Sequence, residues 1–237
     1  MNIESALYLI PVTLGETEIR SVLPDYNHDI SVNIKHFIVE NIRSARRFLK
    51  KVEKSIDIDE LTFYELNRHT DRRTIGDYLK PLKAGEPVGI ISEAGCPAIA
   101  DPGADVVAIA QSQNMRVIPL VGPSSIIMSL MASGFNGQSF AFNGYLPVEN
   151  QGRVKALKKL ENKIYNDDQT QLFIETPYRN EKMIQTILSS LKPQTKLCIA
   201  AGITCAEEFI YTKTIAQWKK EKLPEIGKVP CIFLLYR

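Results

Sequence analysis

The chain reads as an α/β protein built from two α/β domains, and three observations predict it. Short apolar runs recur with helical patterns between them, the signature of βαβ units and a largely parallel sheet. The length, 237 residues, is enough for two small domains that each bury a core. Near Gly122 the pattern changes, and beyond it strands follow one another without long helices. Domains at 1–121 and 122–237 are therefore expected.

In the first half, the runs at 7–10, 36–39, 61–64, 88–92 and 117–121 are the expected strands. The stretch Val88 to Ile91 is a short apolar run, as suits a strand covered on both faces. Helical patterns at 43–52, 74–82 and 102–113 lie between them. The second half opens with a helix of low charge at 123–132. A strand at 140–145, a basic helix at 153–163, a strand at 171–175 and a helix at 178–191 follow. Three more strands, 196–201, 208–212 and 229–236, have no long helix between them, which predicts partly antiparallel pairing. At Asp101-Pro102, Gly122-Pro123 and Thr176-Pro177 a strand end meets a proline suited to the first helical position, with Asp101 as an N-cap. Helix N-termini with unpaired N–H groups are thus expected along one edge of the sheets.

A composition of 44% hydrophobic and 24% charged residues is ordinary for a globular protein. Twenty-nine Lys and Arg against 27 Asp and Glu give a net charge of +2, which excludes a polybasic nucleic-acid binder as a whole and leaves local patches open. Cys96, Cys198, Cys205 and Cys231 show no CxxC pairing and three sit in or beside apolar runs, as buried thiols of a reducing compartment do. No signal-peptide pattern and no apolar run of membrane length is present, so a cytoplasmic protein is expected. His28, His36 and His69 are scattered without metal-ligand spacing, and no metal is expected.

The most informative stretch is 88–103, where a strand runs into a loop of small residues. Little side-chain bulk keeps a ligand off that backbone, and in open parallel sheets ligands settle beyond the carboxyl ends of the strands. Bulk introduced at Gly95 is accordingly expected to fill ligand space and leave the fold intact.

Five segments, in colinear order over nearly the whole chain, resemble the tetrapyrrole methylase superfamily of S-adenosylmethionine-dependent methyltransferases. They are Leu7-Tyr8-Leu9-Ile10-Pro11, the loop from Ser92 to Gly103 (similar to SDAGTPxxxDPG), Val121-Gly122-Pro123-Ser124-Ser125 (PGPSA), Phe142-Asn143-Gly144-Tyr145-Leu146-Pro147 (FxGFLP) and Phe173-Ile174-Glu175-Thr176-Pro177-Tyr178-Arg179 (F-E-(S/T)-P-H-R). Within the superfamily the resemblance is to the branch that methylates a ribose 2′-hydroxyl of ribosomal RNA. It implies a ligand cleft between two α/β domains, a homodimer, S-adenosylmethionine as methyl donor, and ribosomal RNA or the small ribosomal subunit as partner. The donor-binding residues it implies are Pro11, Glu93, Ala94, Gly95, Ile99, Ala100, Asp101, Ser124, Ser125, Gly202 and Ile203. The sequence departs from the pattern at Asn41, where E-D-T-R has become Glu40-Asn41-Ile42-Arg43, and at Cys205, which replaces the Lys of ELTK.

Methyl transfer from a sulfonium needs alignment and exclusion of water, and a hydroxyl acceptor must also lose its proton to a nearby base. Glu40, Glu65 and His69 follow the second and third strands and are the candidate bases. Arg43 is a candidate phosphate contact or a surface ion-pair residue. Glu93 reads either as a donor contact or as a cap of its turn. The cluster Arg43, Arg46, Arg47, Lys50, Lys51 and Lys54 reads as a nucleic-acid footprint or a solvated helix face. Cys96 lacks a His partner and reads as packing. Small-molecule methylation, as of a tetrapyrrole, and an inactive donor- or RNA-binding protein are the alternative functions.

Overall fold

The computed structural model describes residues 3–67 and 69–237. The chain divides into two compact units, Met1–Ser124 and Ser125–Arg237. In the first unit the elements run β1 (Leu7–Ile10), α1 (Ile19–Val22), α2 (Asp25–Ser31), β2 (His36–Val39), α3 (Ile42–Val52), β3 (Thr62–Glu65), α4 (Lys80–Lys83), β4 (Val88–Ile91), α5 (Ala104–Ser112) and β5 (Val117–Pro119). The five strands form an all-parallel sheet in the order β3-β2-β4-β1-β5.

Successive residues of β1 and β2 enter different cores. Tyr8, Ile10, Phe37 and Val39 pack with Leu49 of α3 on one face, while Leu7 and Ile38 pack with Leu79, Val88 and Val106 on the other. Side chains alternate across a strand, so a sheet covered on both faces requires the unbroken apolar runs of the sequence. Gly89 leaves room in this layer, since a β-carbon there would lie 2.8 Å from Ile10 Cδ1 and 3.0 Å from Phe37 Cδ1.

The second unit runs α6 (Ser125–Ser133), β6 (Phe140–Tyr145), α7 (Asn150–Asp167), β7 (Thr170–Glu175), α8 (Asn180–Ser190), β8 (Lys196–Ala201), β9 (Phe209–Thr214), α9 (Ile215–Trp218) and β10 (Cys231–Tyr236). Its sheet order is β6-β7-β10-β8-β9, with β6 and β7 parallel and the remaining pairs antiparallel. One core of Leu157, Ile164, Phe173, Ile187, Ile199 and Phe233 joins α7 and α8 to the sheet. Two charged side chains of α7 are buried with it. Arg153 donates to Thr186 Oγ1, to the Val148 carbonyl and to Asn150 Oδ1, and Glu161 accepts from Thr195 Oγ1 and the Lys192 N–H.

Helix starts differ from the sequence expectation. Asp101 does not cap a helix opened by Pro102: Ala98 and Ala100 have positive φ, so the chain stays in turns until Gly103, and α5 begins at Ala104. Likewise α6 begins at Ser125, two residues after Pro123. Pro177 does open a helical turn, but a 3₁₀ one, Pro177–Arg179, that feeds α8. The expected helix at 74–82 is a 3₁₀ segment, Ile75–Leu79, followed by α4 with Pro81 in its first turn, where the missing N–H interrupts a continuous α-helix.

None of the four cysteines is in a disulfide. Burial raises the Cys198 thiol to about 11 and the Cys231 thiol further still. Among the described residues no helix is long and apolar enough to cross a membrane.

Gly122 is closely packed, because a β-carbon there would lie 2.2 Å from Pro11 Cβ. The Gly122→Ala variant should lose about 1–3 kcal/mol, the usual cost of overpacking. A lower urea midpoint with an unchanged denaturant slope would register it.

Candidate functional site

The carboxyl edge of the parallel sheet brings three strand exits into contact. Behind β1, the Val12 N–H donates to the Gly95 carbonyl at 3.0 Å. Behind β5, the Val121 carbonyl accepts from Asn27 Nδ2 at 2.8 Å, so a buried side chain of α2 holds that turn. Cys96 Sγ lies 3.4 Å from the Pro123 carbonyl, where it packs as a weak donor, and burial raises its thiol.

Gly95 sits inside this junction. Its φ is +68°, and a β-carbon would lie 3.1 Å from Leu14 Cδ2 and 3.3 Å from the Pro123 carbonyl oxygen. Bulk at Gly95 therefore strikes protein atoms, and the expectation that it would spare the fold is corrected. Open space lies on the other side of the loop, where Glu93, Ala94, Ile99 and Ala100 are exposed. Ile99 is 55% exposed, and Ala98 and Ala100 hold φ of +66° and +62°. Left-handed conformations are costly for residues with a β-carbon and persist where the surroundings dictate them, often at ligand sites.

Three carboxylates share this edge. Burial raises the pKa of Glu40, and the negative charges of Asp101 and Glu93 raise it further. Asp101 is raised by burial, with the Ser92 hydroxyl pulling the other way and Glu93 adding to the rise. Glu93 Oε1 accepts from Ser44 Oγ of α3 at 2.6 Å, which joins the loop to that helix. A pocket of about 280 Å³ opens beside this bond, lined by residues 12–16, by Ser44, Arg47 and Lys51, and by Ser92 and Glu93.

Glu40 thus stands with Glu93 and Asp101, and Glu65 ends the neighbouring strand, whose register pairs Val39 with Glu65. Glu65 is exposed, as is His69, whose N–H donates to Asn67 Oδ1 at 2.8 Å. Arg43 is exposed on the first turn of α3. Asn41 caps that helix, its Oδ1 accepting from the N–H groups of Arg43 and Ser44 at 2.9 and 3.2 Å. This role was legible as an Asn directly before a helical pattern. The Ser44–Glu93 bond, between residues 49 apart, had no sequence signal.

In the second unit, Ser125 is the first residue of α6. Gly202 and Ile203 form the turn after β8, where the Gly202 N–H donates to the Pro230 carbonyl at 3.1 Å and the Gly202 carbonyl accepts from the Cys205 N–H at 2.8 Å. Gly202 has φ +58°, and Ile203 buries its side chain, so this turn offers backbone and not side chain. At the end of β7, Glu175 Oε1 accepts from Arg179 Nε and Nη2 and from the Thr176 N–H, at 2.6 to 2.9 Å, which fixes the turn into α8. Among the described residues no group of three or more His, Cys, Asp or Glu has the arrangement of a metal site.

No protein-family model matches the chain. It is 29% identical to ribosomal RNA small subunit methyltransferase I of Buchnera aphidicola subsp. Schizaphis graminum, over 99% of this chain and 79% of that protein. It is 28% identical to the protein of the same name from Vibrio cholerae, over 89% and 69%. Among solved structures, the methyltransferase CobJ superposes with a TM-score of 0.63 at 13% identity, covering 98% of this chain and 94% of that one. The cobalt precorrin-4 methyltransferase CbiF superposes with a TM-score of 0.61 at 12% identity, covering 98% and 95%.

The raised pKa of Asp101 has a consequence for stability. At neutral pH an ionised carboxylate whose folded-state pKa lies above its unfolded value disfavours the fold, and the penalty disappears as pH falls through the folded-state pKa. Asp101→Asn should therefore raise Tm at pH 7, with the gain shrinking toward pH 4. Thermal denaturation across that range reads the effect, and equal Tm values at pH 7 would contradict it.

Proposed function

We propose that this chain is a methyltransferase of the tetrapyrrole methylase superfamily that takes its methyl group from S-adenosylmethionine and places it on a ribose 2′-hydroxyl of small-subunit ribosomal RNA. The names of its relatives support this reading. The observation that carries it is the loop at 93–101, with small residues, left-handed backbone and two carboxylates at the carboxyl edge of a parallel sheet.

These residues suit the donor, whose amino and ribose groups would add hydrogen-bond donors to those that Ser44 and Ser92 already give Glu93 and Asp101. Ala94, Gly95, Ile99 and Ala100 would meet it with backbone and small side chains, together with Pro11 and Ser124. Ser125, Gly202 and Ile203 are the remaining donor-binding residues that the resemblance implies. When bound, the donor supplies an electrophilic methyl on a sulfonium.

The chain's own part is alignment and proton removal. Glu40 is the residue assigned to take the proton of the acceptor hydroxyl, because burial and its acidic neighbours raise its basicity above that of an ordinary carboxylate. Arg43, on the first turn of α3, would hold a phosphate beside it, and α3 carries Arg46, Arg47 and Lys50 exposed beyond. Glu65 and His69 are exposed and stand behind Glu40 as candidates. Asn41 caps α3 and leaves Glu40 in place, which favours an active enzyme over an inactive binder. A homodimer in the cytoplasm is part of the reading. Ile127 and Met131 of α6, 45% and 76% exposed one helical turn apart, suit contact with a second copy.

Calorimetric titration with S-adenosylmethionine and S-adenosylhomocysteine tests the donor, and absence of binding by folded protein overturns the reading. Labelled donor supplied with small ribosomal subunits lacking their native modifications tests the acceptor. Label in a small-molecule fraction alone would make a small molecule the substrate, and no label in any fraction would indicate an inactive binder. Glu40→Gln should lower kcat by about 10²–10⁴ at unchanged donor affinity. Arg46→Glu with Lys50→Glu should weaken RNA binding and flatten its salt dependence while donor binding stays constant.

A further inference from the structure

The two units differ in charge. The first carries 14 Lys and Arg against 17 Asp and Glu, and the second 15 against 10. A charge asymmetry of this kind marks where a polyanion is met. In the second unit the excess gathers on α7.

From 151 to 167 the exposed positions of α7 carry Lys155, Lys158 and Lys159, the neutral Gln151, Asn162 and Asn166, and one acid in the last turn, Asp167, with Lys163 half-exposed beside them. The other acid of the helix, Glu161, is buried and held by Thr195 and the Lys192 N–H. The basic side chains of the helix divide the same way, since Arg153 is buried among polar partners and the lysines face solvent. Lysines spaced i,i+3 and i,i+4 repel one another and weaken a helix, and a helix under no other demand gains from Glu at those positions. Here no lysine of the face has a carboxylate partner among the described residues.

We infer that the lysine face of α7 is a contact surface for the RNA backbone, separate from α3. The inference rests on the proposed RNA substrate. Lys155 to Lys163 covers about 12 Å of helix, and ammonium groups on flexible stems hold phosphates without reading sequence. RNA is favoured over an acidic protein because the face offers charge with almost no apolar area to bury.

The test uses the full chain with K155E/K158E/K159E, binding transcribed small-subunit ribosomal RNA at several salt concentrations. Circular dichroism checks folding, and the neutral K155Q/K158Q/K159Q variant stands in if the reversal unfolds the helix. Affinity should fall about tenfold or more, and the slope of log affinity against log salt should shrink by about 2, as expected for three phosphate contacts. Donor affinity should stay constant, and K155R/K158R/K159R should keep RNA binding. Wild-type affinity and slope in the reversed variant, with R46E/K50E still defective, would overturn the α7 surface and leave the RNA reading standing. No salt-dependent RNA binding by the wild type would overturn both. Lysine-dependent binding to phosphatidylserine vesicles in place of RNA would reassign the face to a membrane.

Discussion

Gly122 has no space for a β-carbon because the ring of Pro11 occupies it, and the order of the sheet makes that contact necessary. Strand β1 lies between β4 and β5, so the chain leaving β1 must pass between the exits of both. Proline keeps that passage stiff, glycine lets the β5 exit close against it, and the Val12–Gly95 hydrogen bond fixes the third side. The conformation of the loop at 93–101 follows. Its inner residues are set by this junction, which leaves Glu93, Ala94, Ile99 and Ala100 as the part that faces solvent.

The same edge concentrates negative charge. Burial raises the proton affinity of Glu40 and Asp101, and the charge of Glu93 beside them adds to it, an arrangement that costs stability and that stability alone does not explain. Clusters of perturbed groups at a strand edge are typical of sites built for chemistry. Glu93 relieves part of the strain through Ser44, and that bond anchors the loop to the helix carrying Arg43, Arg46 and Arg47. Carboxylates and guanidinium groups are thus held on one frame.

The strands were largely legible because their signal is local. Continuous apolar runs such as Val88–Ile91 have few alternatives to a buried parallel strand, and the shift to antiparallel pairing showed in the shortened connections after Leu191. Helix starts were less legible. Asp101-Pro102 carries the local marks of an N-terminus, yet the loop packing holds Ala98 and Ala100 in left-handed conformations and defers the helix to Ala104. Tertiary contact overrode propensity there. For the site, the small residues of the loop stood out in sequence, while the grouping of Glu40 with Asp101 did not, since residues 61 positions apart are joined by β2 and β4 being neighbours. The tolerance of Gly95 to bulk was misread for the same reason, because nothing local shows that Leu14 and Pro123 lie against it.

In α7 the buried and exposed halves answer different demands. Arg153 ties the start of the helix to the Val148 carbonyl, and Glu161 ties its middle to the turn before β8. These two charges are satisfied by hydrogen bonds inside the unit, as buried charges must be. Both anchors are therefore in place without the lysines, whose mutual repulsion the packing of Leu157, Leu160 and Ile164 must overcome. A helix anchored from beneath can carry a predominantly positive outer face, and an anionic partner converts that repulsion into attraction. The rigid anchors and the mobile lysines then act together, the first setting where the charges stand and the second adapting to the spacing of the phosphates they meet.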